Sequence, residues 1–473
     1  AGGERPLDAM AVPAAWPALL ATPANWGEAT VAQAATSTTT PLARGRALGG
    51  SSAINAMMFA RGHHSAYDAW TASGASGWSF DDLVPYFQRS EDARVRHGGR
   101  RGVGGPLGVG PADPPNPVIT ACLEAAAERG HPRAGDLSGG LDEGFGLPDL
   151  NIVDGLRQSA ADAYLAPVSD RPNLDVVTGA VARRLIVENS RCTGVEYGMG
   201  ATAVMAHCSG EVVLTAGTIG SAQLLMLSGI GPAPHLEEVG VDVVLDLPGV
   251  GTGLQDHPVA NVVYGAARPI PFSRNNHGEA FGLLRSDPGV ESPDFQLLFM
   301  DAPGHLSSGA EVDHGYSIGA ILVRPRSRGT VRLANIDPDT APLLDPDYYG
   351  DPEGHDLATM VTALRAARDI GEAHALDGWR EREVAPGPTT IDEAALRAYA
   401  TETLGSVNHP VGTCPIGSDD TAVVDPELRV RGIAGLRVAD ASVMPSLVTA
   451  YPIATVYAIA ERAADLIAGR GAS

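Results

Sequence analysis

The chain has 473 residues, 44% of them apolar, so it can bury a large core, and its length suggests two or three domains. Its 33 basic residues against 56 acidic ones give a formal charge of −23, which argues against nucleic acid or an anionic membrane as partner and favours cationic or neutral substrates. No run of about 18 apolar residues and no charged-then-apolar leader occurs, so neither a membrane span nor a signal peptide is expected.

Cys122, Cys192, Cys208 and Cys414 are scattered without C-x-x-C spacing, so no zinc site and no disulfide framework is indicated, and the expected location is the reducing cytoplasm. Residues 1 to about 45 open with Ala1-Gly2-Gly3 and show neither helical nor strand period, which predicts an extended wrapping segment. Gly49-Gly50-Ser51-Ser52 follows. Two glycines let a backbone approach a flat ligand or a phosphate closely, and the serines can cap an apolar helix starting near Ala53. Tyr67, Trp70, Trp78 and Phe80 read as core on two short helices. The basic run from Arg94 through His97 and Gly98 to Gly102 reads as a surface loop, with a substrate lid as a second reading. A helix at 117–129 and a loop from Gly139-Gly140 to Pro148 come next.

Short β-branched runs from Asn173 to Tyr197 predict a β-meander, and Glu211 to Gly231 predicts a strand, a glycine and a helix. Leu254-Gln255-Asp256-His257-Pro258 stands just after it. Residues 293–334 alternate as an antiparallel sheet would, and helices are expected at 353–371, 392–403 and 454–468. Near the C-terminus one histidine, His409, sits in a turn-rich segment, Asp440 follows an apolar strand, and a helix begins at Pro452. A histidine can accept a proton near neutral pH, and a helix N-terminus carries partial positive charge. There is no nucleophile elbow, Walker motif, H-E-x-x-H or metal-ligand cluster.

Three blocks in this order resemble the glucose–methanol–choline (GMC) flavin oxidoreductases: Gly45 to Asn55, Gly217 to Gly231 (with Ala222 where Pro or Ser is usual), and His409 to Cys414 with Asp440 to Pro445. The resemblance implies an α/β (α+β overall) protein. It has a Rossmann-like FAD domain built from 1–64, 160–258 and 404–473, and a substrate domain from 65–159 and 259–403 with an antiparallel sheet and helices. It places Gly50, Ser51 and Asn55 along the flavin and its diphosphate, Val181 at the adenine end, and Asp440 and Ala441 at the ribityl and phosphate side. The helix starting at Pro452 would aim at the flavin pyrimidine carbonyl. A covalently linked flavin in the family uses a histidine just before the first-signature asparagine; Ile54 stands there, so non-covalent FAD is expected.

Two departures stand beside these matches. The family's opening β-α-β unit with its G-x-G-x-x-G turn is missing from the sequence, which predicts a longer gene product. Tyr451 replaces the second His or Asn of the family pair, and it can reposition the substrate, donate a proton, or pack away from the site. The function expected is oxidation of an alcohol, a primary and amino-bearing one being favoured, with His409 as general base, Tyr451 beside it and hydride passing to flavin N5. Cyanohydrin-lyase-like chemistry without net redox change and a flavin-less binding scaffold are the alternatives. Oligomeric state is left open.

Overall fold

The structure is a computed structural model that describes residues 7–96, 99–139, 143–200, 202–304, 312 and 314–469. Ala1-Gly2-Gly3, His97, Gly98 and Gly140 of the segments above lie outside these residues.

Of the alternating segments, Phe295–Met300 and Gly315–Leu322 join one large antiparallel sheet, whereas Gly329–Arg332 pairs instead with Thr252–Leu254 and Leu343–Asp345 in a separate small sheet. Arg380–Ala385, Pro258–Ala266, Gly315–Leu322, Phe295–Met300, Ala280–Leu284 and Gly144–Gly146 lie side by side in that order, and Gly405–Ser406 adds to the start of Pro258–Ala266. Because successive strand residues face opposite ways, the sheet sorts its side chains into two sets. Phe295, Leu297, Phe299, Ile318 and Ala320 bury one face against the helices Pro117–Glu128, His355–Gly371 and Glu393–Glu402. Phe281, Leu283, Leu298, Met300 and Ile321 line the other face, in a cluster that also holds Met58 and Tyr451. The covering helices start where their caps predict: the Asn116 side chain accepts from Val118 N ahead of Pro117, and the Asp392 side chain accepts from Ala395 N.

In the other half of the molecule, Val212–Leu214 pairs in parallel with Leu436–Val438, and each strand delivers the chain into a helical segment, Gly217–Leu227 and Ala441–Val443. The expected meander is formed by Ala180–Glu188, Arg191–Met199 and Thr202–His207. The C-terminal helix runs from Ile453 to Ile467.

Two expectations change. Tyr67, Trp70, Phe87 and Leu107, from the segment assigned to the substrate domain, pack in one core with Leu214, Val438 and Ile459. The reason is that the helix Phe80–Ser90 lies along the C-terminal helix, where Arg89 pairs with Asp465 at 2.9 Å. The helix expected from Ala53 is a single 3-10 turn, Gly50–Ala53. Met57 at φ +56°, its N–H held by Asn55 Oδ1 at 3.0 Å, turns the chain into the extended pair Met58–Phe59.

The basic run is anchored, not free to act as a lid along its described part. Arg96 binds Asp149 at 2.8 Å, while Arg101 reaches Glu91, Asp136 and Asp149 at 2.9, 2.8 and 2.5 Å. Glu91, fully buried, also takes Arg61 Nη2 at 2.7 Å and Gly102 N at 2.8 Å. Removing one member of such a set leaves buried cations uncompensated. Glu91→Ala is therefore expected to destabilise the protein by about 3–5 kcal/mol, seen as a lower denaturant midpoint; an unchanged midpoint would contradict this role for the network.

Candidate active site

The loop that carries His409 is held from both sides. On one side the chain pairs with itself across 150 residues: Val407 N donates to His257 O, and Gln255 and Val411 exchange both backbone bonds. This register sets Asp256 beneath the turn. Its carboxylate accepts from His409 N at 2.6 Å and from the hydroxyls of Ser406 and Tyr348. On the other side, Asn408, at φ +64°, accepts from Ala43 N through its side chain at 2.6 Å, and the half-buried Arg44 guanidinium bonds its carbonyl. Burial pushes the Asp256 carboxyl up, and the hydrogen bonds and Arg44 oppose that shift.

His409 Nδ1 lies 2.9 Å from His257 Nδ1, the two rings nearly perpendicular with centroids 5.2 Å apart. One nitrogen must donate and the other accept, so the pair shares a single hydrogen. Burial, helped by His257 and Arg44, holds His409 well below the usual imidazole range, and burial lowers His257 to about 3. Both rings are neutral at physiological pH. With the shared hydrogen on His409 Nδ1, its Nε2 carries a lone pair and has no protein partner among the described residues. A neutral imidazole with one free basic nitrogen is what general-base catalysis needs.

Tyr451 stands on the other side of His409, ring centroids 5.2 Å apart at 87°, and its phenol is bonded to Gln296 Nε2 at 2.6 Å. Phe281 lies 5.7 Å from the Tyr451 ring. Burial raises the phenol above its ordinary range, so it stays protonated and works only as a hydrogen-bonding group. The contact with His409 argues against the reading in which Tyr451 packs away.

The remaining expected residues fall into groups. Gly49 and Gly50 adopt φ +86° and +55°, and a Cβ on Gly50 would meet nothing within 4 Å, whereas one on Gly45 would strike Gly50 O at 2.1 Å. Ser51 Oγ accepts from Gly45 N at 3.1 Å, and Asn55 Oδ1 accepts from Arg157 Nη1 at 2.8 Å. Asp440 spends both oxygens on the protein: Oδ2 takes Gly217 N and Ser221 Oγ at 2.9 and 2.6 Å, and Oδ1 takes Ser442 N and Oγ at 2.9 and 2.6 Å. It thereby ties the helix after one parallel strand to the turn at Ala441 after the other. Val181 is the second residue of the meander's first strand, opposite Gly198. Pro452 caps the C-terminal helix, whose first turn has no side-chain cap. Arg44, Asp256, His257, Gln296 and Arg157 were given no role from sequence, although Asp256 and His257 lie in a motif noted there. Among the described residues no group of three His, Cys, Asp or Glu could hold a metal, and no helix is long and apolar enough to cross a membrane.

A doubly held, neutral histidine between a large antiparallel sheet and a strand–glycine–helix domain is the arrangement that the resemblance to flavin oxidoreductases implies. GMC oxidoreductase family models match residues 26–259 and 325–460. An oxygen-dependent choline dehydrogenase of Rhizobium rhizogenes is 38% identical over 453 residues, 90% of this chain and 82% of that protein. Pyridoxine 4-oxidase from Mesorbium loti has a solved structure with a TM-score of 0.94 at 37% identity, covering 98% of this chain and 92% of that one. Formate oxidase of Aspergillus oryzae, studied for FAD modification, matches with a TM-score of 0.89 at 25% identity over 99% and 92% of the two chains. The chain belongs to the GMC oxidoreductase family, and it is an FAD-dependent oxidoreductase acting on CH–OH donors. The comparisons support neither alternative, the lyase-like nor the flavin-less one.

The expectation that a nucleotide-binding unit is lacking is not borne out, since the N-terminal family model matches from residue 26. The early segment is already built into the fold: Leu19 and Leu42 are fully buried, and Val31 N bonds Leu344 O at 2.7 Å. The low basicity of His409 also gives a pH prediction. A base must be unprotonated to act, so kcat/KM for an alcohol is expected to hold as pH falls through 6.5, the ordinary imidazole value, and to drop only below it; an acidic limb at or above 6.5 would contradict this.

Proposed function

We propose that His409 is the general base and Tyr451 the second ligand of the alcohol oxygen. The observation that carries this reading is the His409 imidazole itself, neutral, fixed through Nδ1, and placed ring to ring with the Tyr451 phenol. His409 Nε2 takes the hydroxyl proton while the Tyr451 O–H donates to the same oxygen, so the developing alkoxide meets one acceptor of its proton and one donor to its charge. Met58, Phe281, Leu298 and Met300 keep this face of the sheet dry, which strengthens both interactions.

The residues present fit FAD. Gly50 and Gly217 offer backbone with open space where side chains would stand, and buried Arg157 keeps Nη2 without a partner among the described residues, a cation suited to a phosphate oxygen. Gly50, Ser51, Asn55, Val181, Ala441 and the helix start at Pro452 would hold the cofactor, with Asp440 bracing Ala441 from behind. FAD, when bound, supplies the acceptor for the two electrons leaving the carbinol carbon. The uncapped start of the Ile453–Ile467 helix presents unpaired N–H groups and partial positive charge, worth about 0.3–1 kcal/mol to a nearby negative charge.

We also propose that FAD is held non-covalently. Ile54, 2% exposed among Met10, Leu19 and Ala24, has no nucleophilic atom where a linking histidine would stand. The substrate is proposed to be a small primary alcohol bearing an amino group. The net charge of −23 supports this, as do the Tyr451 and Phe281 rings, whose faces can accept a cation. The free cysteines are consistent with a cytoplasmic location.

His409→Ala is expected to lower kcat/KM by about 10²–10⁴ while keeping the flavin spectrum; unchanged turnover would remove His409 from the mechanism. Acid precipitation is expected to release all the flavin into the supernatant, and flavin retained in the pellet would refute the non-covalent reading.

A further inference from the structure

Gln296 is the one polar side chain in the row that strand Phe295–Met300 turns toward the site; the next two residues facing that way are Leu298 and Met300. It is 1% exposed, and a buried amide in an apolar wall is costly unless it is bonded. Its Nε2 reaches Tyr451 Oη, 155 residues along the chain, at 2.6 Å. A phenol has one hydrogen to give and lone pairs to receive with. An amide N–H aimed at Oη takes a lone pair and repels the phenol hydrogen, which must rotate to another side. We infer that Gln296 is a positioning residue that directs the Tyr451 O–H toward the substrate oxygen beside His409. The inference rests on the alcohol-oxidation reading given above.

Burial raises this phenol and the Gln296 bond opposes the rise. Gln296 is the hydrogen-bonding side chain at Oη among the described residues, so changing it can redirect the O–H. In Gln296→Glu the introduced carboxyl donates to Oη while protonated, as the amide does. Once ionised it can only accept, and it draws the phenol hydrogen away from the substrate.

The test is anaerobic stopped-flow reduction of the flavin across pH in the holoenzyme, using an alcohol that bleaches the unaltered protein. Gln296→Glu should match the unaltered protein at the acid end and lose activity as pH rises through the titration of the introduced carboxyl. Gln296→Met should lose roughly tenfold in kcat/KM and Tyr451→Phe roughly ten- to a hundredfold, and the double variant should fall no further than Tyr451→Phe alone. A Gln296→Glu profile that tracks the unaltered protein at every pH, or losses that multiply in the double variant, would overturn the inference. Should Gln296→Glu fail to fold, the Met and Phe cycle decides alone. A flavin that no alcohol reduces in the unaltered protein would instead count against the proposed function, before any variant is made.

Discussion

The site depends on one buried carboxylate. Asp256 accepts the backbone N–H of His409 and the hydroxyls of Ser406 and Tyr348, and it can do so only because the segment around 255–259 runs antiparallel to 405–411. That pairing ties the large sheet to the C-terminal loop, since Pro258–Ala266 is an inner strand of the sheet. A carboxylate removed from water is unfavourable unless its lone pairs are occupied, so the cost of burying Asp256 fixes the three donors in place. The loop at His409 is thus held by polar satisfaction where a mobile surface loop would offer no fixed base.

From that anchor the chemistry follows. A histidine in this position has little water and two neighbours, His257 and Arg44, that both disfavour a second proton on its ring. It is kept as a base ready to act. The sheet supplies the opposite wall through strand alternation: residues that do not pack under the helices cluster with Tyr451, and the Gln296 amide on that face meets the phenol. Asp440 plays the matching part in the cofactor half. It joins Gly217 to Ser442, so the segments that follow the two parallel strands are tied to each other.

Local signals were legible in the sequence where local physics decides the outcome. The strand alternation at Phe295–Met300 and Gly315–Leu322, the helices at Pro117–Glu128 and Glu393–Glu402, and the strand–glycine–helix at 211–231 all appear as expected, because glycines and alternation act over a few residues. His409 and Tyr451 were found through motif order. What escaped was long-range: Asp256 is 153 residues from His409, and Gln296 is 155 from Tyr451, and no period encodes which strand residue meets which loop. The packing of 65–109 was missed for the same reason. Its aromatics announce a core, but which core depends on the C-terminal helix more than 370 residues away. The turn at Gly50–Ala53 was misread because Ser-Ser before an apolar run looks like a helix start, while the left-handed Met57 that ends it carries no glycine or asparagine signature.

The central claim is that a fixed neutral histidine and a bound flavin together oxidise an alcohol. Anaerobic titration of the flavin-loaded protein with amino alcohols, aryl alcohols and sugars tests it most directly. The account predicts that at least one primary alcohol bleaches the oxidised flavin absorbance with one equivalent of aldehyde formed per flavin. Flavin absorbance that persists in the presence of every alcohol tried would contradict it.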